Sequence, residues 1–116
     1  RHGRAFGRET GRAPDGVQAA VDDAIAENDV VLFMKGNELM PQCGYSKKAL
    51  GLIQRHREDY ETVDVLPALD EYRAALESHS GWTTIPQTFV DGEFVGGSDV
   101  LEQLEGDGDL ATTLDA

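Results

Sequence analysis

The sequence predicts an α/β domain, a central four-stranded mixed sheet flanked by helices on both faces. Three observations predict it. The β-branched run "VVLFM" (30–34) and the alternating run "YETVDV" (60–65) are separated by a helix-length amphipathic stretch, the pattern of a parallel strand pair with a right-handed crossover. The segment "QTFVDGEFVGG" holds two further strand-like runs joined by Asp91-Gly92, a strong signal for a two-residue hairpin and so for antiparallel strands. Amphipathic stretches before, between and after these runs supply the covering helices. A chain of 116 residues suits one core, and neither an internal repeat nor a second domain is visible.

The elements follow in order. Asp15 is the expected cap of a first helix, whose Val17, Ala20, Val21, Ala24 and Ile25 recur at three-and-four spacing up to about Asn28. The run Val30–Met34 reads as a buried strand bounded by Asp29 and Gly36. After the loop "KGNELMPQ" a helix begins at about Cys43 and runs to about Arg57, with Ala49, Leu50 and Ile53 on one face. "YETVDV" is the second strand. Pro67 suits the first turn of a third helix with Leu69, Tyr72 and Leu76 inward, stopped by Gly81. The hairpin comes next, then a helix "DVLEQLE" capped by Ser98 and Asp99, and a weaker one closes the chain through Leu110 and Leu114.

Composition excludes several classes of function. Residues 1–16 carry four arginines and four glycines and read as a disordered extension or cloning remnant, leaving residues 17–116 as the domain. Those hundred residues hold six basic against twenty acidic side chains, a balance of −14. Binding to phosphate backbones or headgroups depends on Lys and Arg, so neither nucleic acid nor a membrane surface is an expected partner. Acid excess also fits a high-salt cytoplasm, and an ordinary acidic domain fits equally. The longest apolar run is five residues, Val30–Met34, against the roughly 20 needed to span a bilayer. A single cysteine rules out an internal disulfide framework, which suits a reducing cytoplasmic setting.

That cysteine, Cys43 in "MPQCGYS", carries the chemistry. It is expected at a helix start, where free N–H groups and the helix dipole favour a thiolate, with Lys35, Lys47 and Lys48 as nearby cations. Lys35 ends a strand that points to the same edge, and strand carboxyl ends are where open sheets bind ligands. An isolated cysteine also reads as a small buried hydrophobe. His2, His56 and His79 lack the spacing of a metal set and read as surface histidines, while Trp82 and Tyr72 read as packing residues.

From Val17 onward the chain resembles the monothiol glutaredoxins of the thioredoxin fold. The resemblance rests on "FMKG", "PQCGYS" and "WTTIPQTFVDGEFVGGSD", in family order over roughly 100 residues. Two positions depart from the family pattern: Tyr45 stands where Phe is usual, and Thr83 where Pro is common. The resemblance implies a groove for a γ-glutamyl thiol, glutathione or γ-glutamylcysteine, with Cys43 meeting its sulfur. Lys35 and Arg73 would hold the glycine carboxylate, Tyr45 and Thr84 would line the groove, and the backbone of Ile85, before a cis Pro86, would pair with the ligand's peptide. Gly97, Ser98 and Asp99 would take the γ-glutamyl end. Read singly, Lys35 and Arg73 are also solvated charges, "GGSD" is also a strand exit, and an X-Pro bond is ordinarily trans.

With Ser46 in place of a second cysteine, Cys43 cannot resolve a mixed disulfide within the chain and needs an external thiol. Two activities fit. A 2Fe-2S cluster takes four donors; Cys43 of each of two chains and two bound glutathione-like thiols make four, which implies a homodimeric carrier delivering clusters to apo-proteins. The alternative is a thiol–disulfide oxidoreductase acting on glutathionylated proteins, at most a weak enzyme. A redox-inert interaction module is the third reading.

Overall fold

A computed structural model describes residues 13–115. The first helix, α1, spans Ala13–Glu27 and begins earlier than the sequence suggests. Pro14 accounts for this, because its fixed φ and missing N–H suit a first helical turn. Asp15 therefore lies inside that turn rather than capping it. The expected extension is otherwise outside the described residues.

The remaining elements are β1 (Val30–Met34), α2 (Gly44–His56), β2 (Glu61–Asp64), a 3₁₀ turn (Leu66–Ala68) leading into α3 (Leu69–Ser80), β3 (Gln87–Val90), β4 (Glu93–Gly96), α4 (Ser98–Gly106) and α5 (Leu110–Thr113). The sheet runs β2-β1-β3-β4. β1 pairs parallel with β2 and antiparallel with β3, and β3 pairs antiparallel with β4. The mixed sheet expected from the βαβ unit and the hairpin is thus observed. At the hairpin, Asp91 and Gly92 both take positive φ, 53° and 83°, the requirement of the two-residue turn that matches strand twist.

The core lies on both faces of the sheet, which is why β1 reads as a continuous apolar run rather than an alternating one. Val30, Leu32 and Met34 face α2, α4 and α5 through Ala49, Leu50, Ile53, Leu101, Leu110 and Leu114. Val31 and Phe33 face α1 and α3 through Val21, Ile25, Ala75 and Leu76. Phe33 and Phe89 meet edge to face with centroids 5.8 Å apart, the arrangement that ring quadrupoles favour. Tyr72 packs at the margin of this second layer, as expected. No helix among the described residues is long and apolar enough to cross a membrane.

Two histidines are tied into this frame. His56 Nε2 lies 2.7 Å from Glu105 and joins α2 to α4, and His79 Nε2 lies 2.6 Å from Asp22 and joins α3 to α1. Both histidines are exposed, as the surface reading expects; their partners were not foreseen, because helix faces 49 and 57 residues apart carry no periodic signal of their pairing.

Candidate functional site

The site forms where β1, α2, the segment before β3 and the start of α4 converge. Met34 ends β1, and the chain turns at Gly36, whose φ is +90°. A Cβ there would stand 2.5 Å from the Met40 carbonyl oxygen and 2.6 Å from the Gln42 nitrogen, so only glycine allows the return path. Asn37 Oδ1 accepts the N–H groups of Leu39 and Met40 at 2.9 and 2.8 Å, and Asp64 Oδ1 accepts the Gly36 N–H at 3.0 Å. Tyr60 donates its hydroxyl to Glu38 at 2.8 Å. These bonds fix the loop that delivers Cys43 to the helix start.

Cys43 is the N-cap residue of α2, with extended backbone, and is half-buried. Partial burial pushes its thiol pKa up; the backbone N–H groups of Ser46 and Tyr45, the Ser46 hydroxyl and the charge on Lys35 together outweigh that and hold it below its ordinary value. The sulfur makes no closed capping bond, so these N–H groups act on it as nearby dipoles. Of the three lysines expected to assist, Lys35 acts on the thiol. Lys48 instead pairs with Glu102 at 3.4 Å.

Ser46 is fully buried, and its hydroxyl accepts the Lys35 N–H at 3.0 Å. It is therefore a structural link as well as the position where a second cysteine is missing. Sequence reasoning saw the absence and missed the bond, which joins residues 11 apart.

Opposite Tyr45, the Ile85-Pro86 peptide is cis. Tyr45, Thr84, Ile85, Pro86, Gly97, Ser98 and Asp99 line one groove of about 320 Å³. Seven of the residues singled out from sequence are thus neighbours, drawn from three parts of the chain. Gly97 caps α4, in place of the expected Ser98 and Asp99, which occupy its first turn. A Cβ on Gly97 would come within 3.0 Å of the Pro86 carbonyl oxygen. Glycine thus allows the helix start, with its free N–H groups, to lie against the groove. Lys35 and Arg73 do not line it. Neither makes an ion pair with another described residue.

Trp82, expected as packing, is 59% exposed. With Phe94, Val95 and Val100 it lines a second cavity of about 290 Å³ that shares Thr84, Pro86, Gly97 and Asp99 with the first. Leu39, Met40 and Tyr45 are exposed as well, at 91%, 65% and 64%, and give the loop around Cys43 an apolar surface. Larger clefts of about 550 and 560 Å³ lie elsewhere, the second along Lys47, Lys48 and Arg55. Cys43 lines none of these cavities; its neighbour Gly44 lines the second cleft, and Tyr45 lines the groove. Among the described residues no group of three or more His, Cys, Asp or Glu side chains could hold a metal ion.

The glutaredoxin family model matches residues 30–95, more than half of the chain. An uncharacterized monothiol glutaredoxin ycf64-like of Synechocystis sp. is 43% identical over 98 residues, covering 84% of this chain and 91% of that protein. The chloroplastic bifunctional monothiol glutaredoxin-S16 of Arabidopsis thaliana is also 43% identical, over 102 residues, of which the chain spans 34% of the full length. Among solved structures, a buckwheat glutaredoxin in complex with glutathione superposes with a TM-score of 0.73 at 25% identity, covering 87% of this chain and 89% of that one. The family model spans the cysteine loop and Thr84 to Pro86 and ends before Gly97; with the relatives and the superposed fold it shows that the chain belongs to the monothiol glutaredoxins.

Proposed function

We propose that this protein carries a labile 2Fe-2S cluster between two copies of itself and passes it to apo-proteins, with glutathione or γ-glutamylcysteine as the external ligand. The observation that carries the reading is the thiol of Cys43: lowered in pKa, half-exposed and without a second cysteine in the chain. A site with one donor per chain is open by construction of the donor count. Cys43 from each copy supplies two thiolates, and two small thiols complete the four that the cluster takes. The cluster is cargo here, and ligands that can leave suit delivery rather than retention.

The thiol ligand fits the groove by charge and shape. Its γ-glutamyl carboxylate meets the N–H groups at the start of α4, and Asp99 faces its ammonium. The backbone of Ile85 pairs with its peptide, and Tyr45 and Thr84 form the walls. Lys35 and Arg73 reach its glycine carboxylate from outside the groove, a contact γ-glutamylcysteine would not make. The buckwheat glutaredoxin solved with glutathione supports this choice of ligand class.

Anaerobic reconstitution with iron, sulfide and glutathione tests the carrier. Coloured protein with visible charge-transfer absorption and a dimeric mass is the expected result, lost in Cys43→Ser. Colourless wild-type protein would sink the reading.

The lowered thiol also favours a second activity. The Cys43 thiolate attacks the glutathione sulfur of a protein–glutathione disulfide, forming a Cys43–glutathione disulfide and releasing the protein thiolate. A second glutathione thiolate then attacks that disulfide, returning the Cys43 thiolate and releasing oxidised glutathione. Steady-state turnover of a glutathionylated peptide measures it, and negligible rates beside a stable cluster would eliminate it.

A further inference from the structure

Gln87, the first residue of β3, is 1% exposed and does not line the groove. Its side-chain Nε2 nevertheless donates to two backbone carbonyls of the groove-forming segment, Trp82 O at 2.9 Å and Thr84 O at 3.0 Å. Two acceptors facing one end of the amide fix its orientation, since the reversed amide would set an oxygen against two carbonyl oxygens. The other end, Oε1, is buried and makes no hydrogen bond. A dry acceptor is costly, so this side chain gives up its own oxygen's bonding while both N–H groups hold the segment.

The segment from Trp82 to Pro86 has neither helix nor strand bonds of its own. Ser80 contributes at its entry, where its hydroxyl accepts the Trp82 N–H at 3.0 Å. Beyond that point the carbonyls of Trp82 and Thr84 are tied to Gln87, and Thr84, Ile85 and Pro86 form one wall of the groove. Because Gln87 also pairs in the ladder with Phe33 of β1, it references that wall to the buried sheet.

We infer that Gln87 is a positioning residue for ligand binding: its amide sets the path of Thr84 and Ile85 from beneath, so that the wall is in its ligand-accepting form before the γ-glutamyl thiol arrives. The inference rests on the groove reading above. It predicts that preorganisation is lost when the two donors are removed at constant volume.

The test is Gln87→Met, a replacement of similar volume without donors. Calorimetric titration of reduced protein with glutathione is expected to show a dissociation constant raised at least about tenfold, from the loss of two buried hydrogen bonds that order the wall. The rate of Cys43 alkylation at pH 7 is expected to stay within about twofold of wild type, because Gln87 is not among the groups acting on the thiol. An unchanged dissociation constant in folded Gln87→Met overturns the inference, and so does a parallel fall in alkylation, which would mark general disruption. If Gln87→Met does not fold, wild type decides. In ligand-free wild type the Gln87 side-chain NH₂ protons should already be protected from exchange with solvent, to the same degree as with glutathione bound; NH₂ protons that become protected only when glutathione is added overturn the inference. Failure of wild type to bind glutathione at all overturns the groove reading itself, and is distinguishable because it appears before any substitution.

Discussion

The buried hydroxyl of Ser46 accepts the backbone N–H of Lys35 at 3.0 Å and so ties the end of β1 to the first turn of α2. The same hydroxyl helps to lower the Cys43 thiol. Ser46→Ala should therefore do two separate things. Leaving the Lys35 N–H unpaired should destabilise the fold by about 1–3 kcal/mol, read from the urea midpoint at unchanged slope. The midpoint of Cys43 alkylation against pH should also move upward. Unaltered values of both would show that Ser46 is only the vestige of a second thiol.

Lys35 acts on Cys43 through its charge. A cation favours the thiolate, so the alkylation midpoint of the wild type should lie below that of a cysteine in an unstructured peptide, and Lys35→Gln should raise it. Rates followed from pH 5 to 10 with iodoacetamide check both statements. Arg73→Gln, which removes a cation not acting on the thiol, should leave the profile in place.

Glu105 sits between His56 and Arg55, and the hydrogen bonds from those two side chains hold its carboxyl below the usual carboxylate range. A depressed carboxyl contributes stability that is present above its unfolded pKa and lost as pH falls through the folded one. Glu105→Gln should accordingly lower Tm at pH 7, with the difference from wild type closing as pH falls into the acid range. Thermal melts at intervals from pH 7 to pH 3 measure this. A gap that stayed constant would assign the effect to packing.

Phe33 is fully buried between the sheet and α1 and α3, edge to face with Phe89. Phe33→Ala should cost about 3–5 kcal/mol, the transfer loss plus the cavity left behind. Chemical denaturation followed by far-UV circular dichroism reads it; a loss under about 1 kcal/mol would mean the layer collapses to refill the space.

The fold was legible because its signals are local. β1 reads as buried from five consecutive apolar residues, the hairpin from Asp91-Gly92, and the stop of α3 from Gly81. The misplaced boundaries lie where backbone geometry outranks side-chain preference: Pro14 extends α1 upstream, and Gly97 takes the cap that Ser98 and Asp99 suggested. Tyr45, Thr84 to Pro86 and Gly97 to Asp99 were singled out through motif resemblance, since nothing in their spacing shows that they share a groove. Gln87, the Ser46 hydroxyl and the His56–Glu105 link stayed hidden because each depends on a contact between a side chain and a distant partner, which periodicity does not encode.

The sheet order leaves β2 and β4 at the margins, each four residues long, with Glu61 and Glu93 exposed on them. Short acidic margins repel a second chain that would extend the sheet, and so guard against fibre-like stacking. For the dimer proposed above, that leaves side-chain surface rather than backbone pairing, and among the described residues Leu39, Met40, Tyr45 and Trp82 are exposed apolar side chains that such a contact could use. On the proposed carrier reading, two copies joined through side chains would separate again without breaking a strand ladder, the reversibility that a courier of fragile cargo requires.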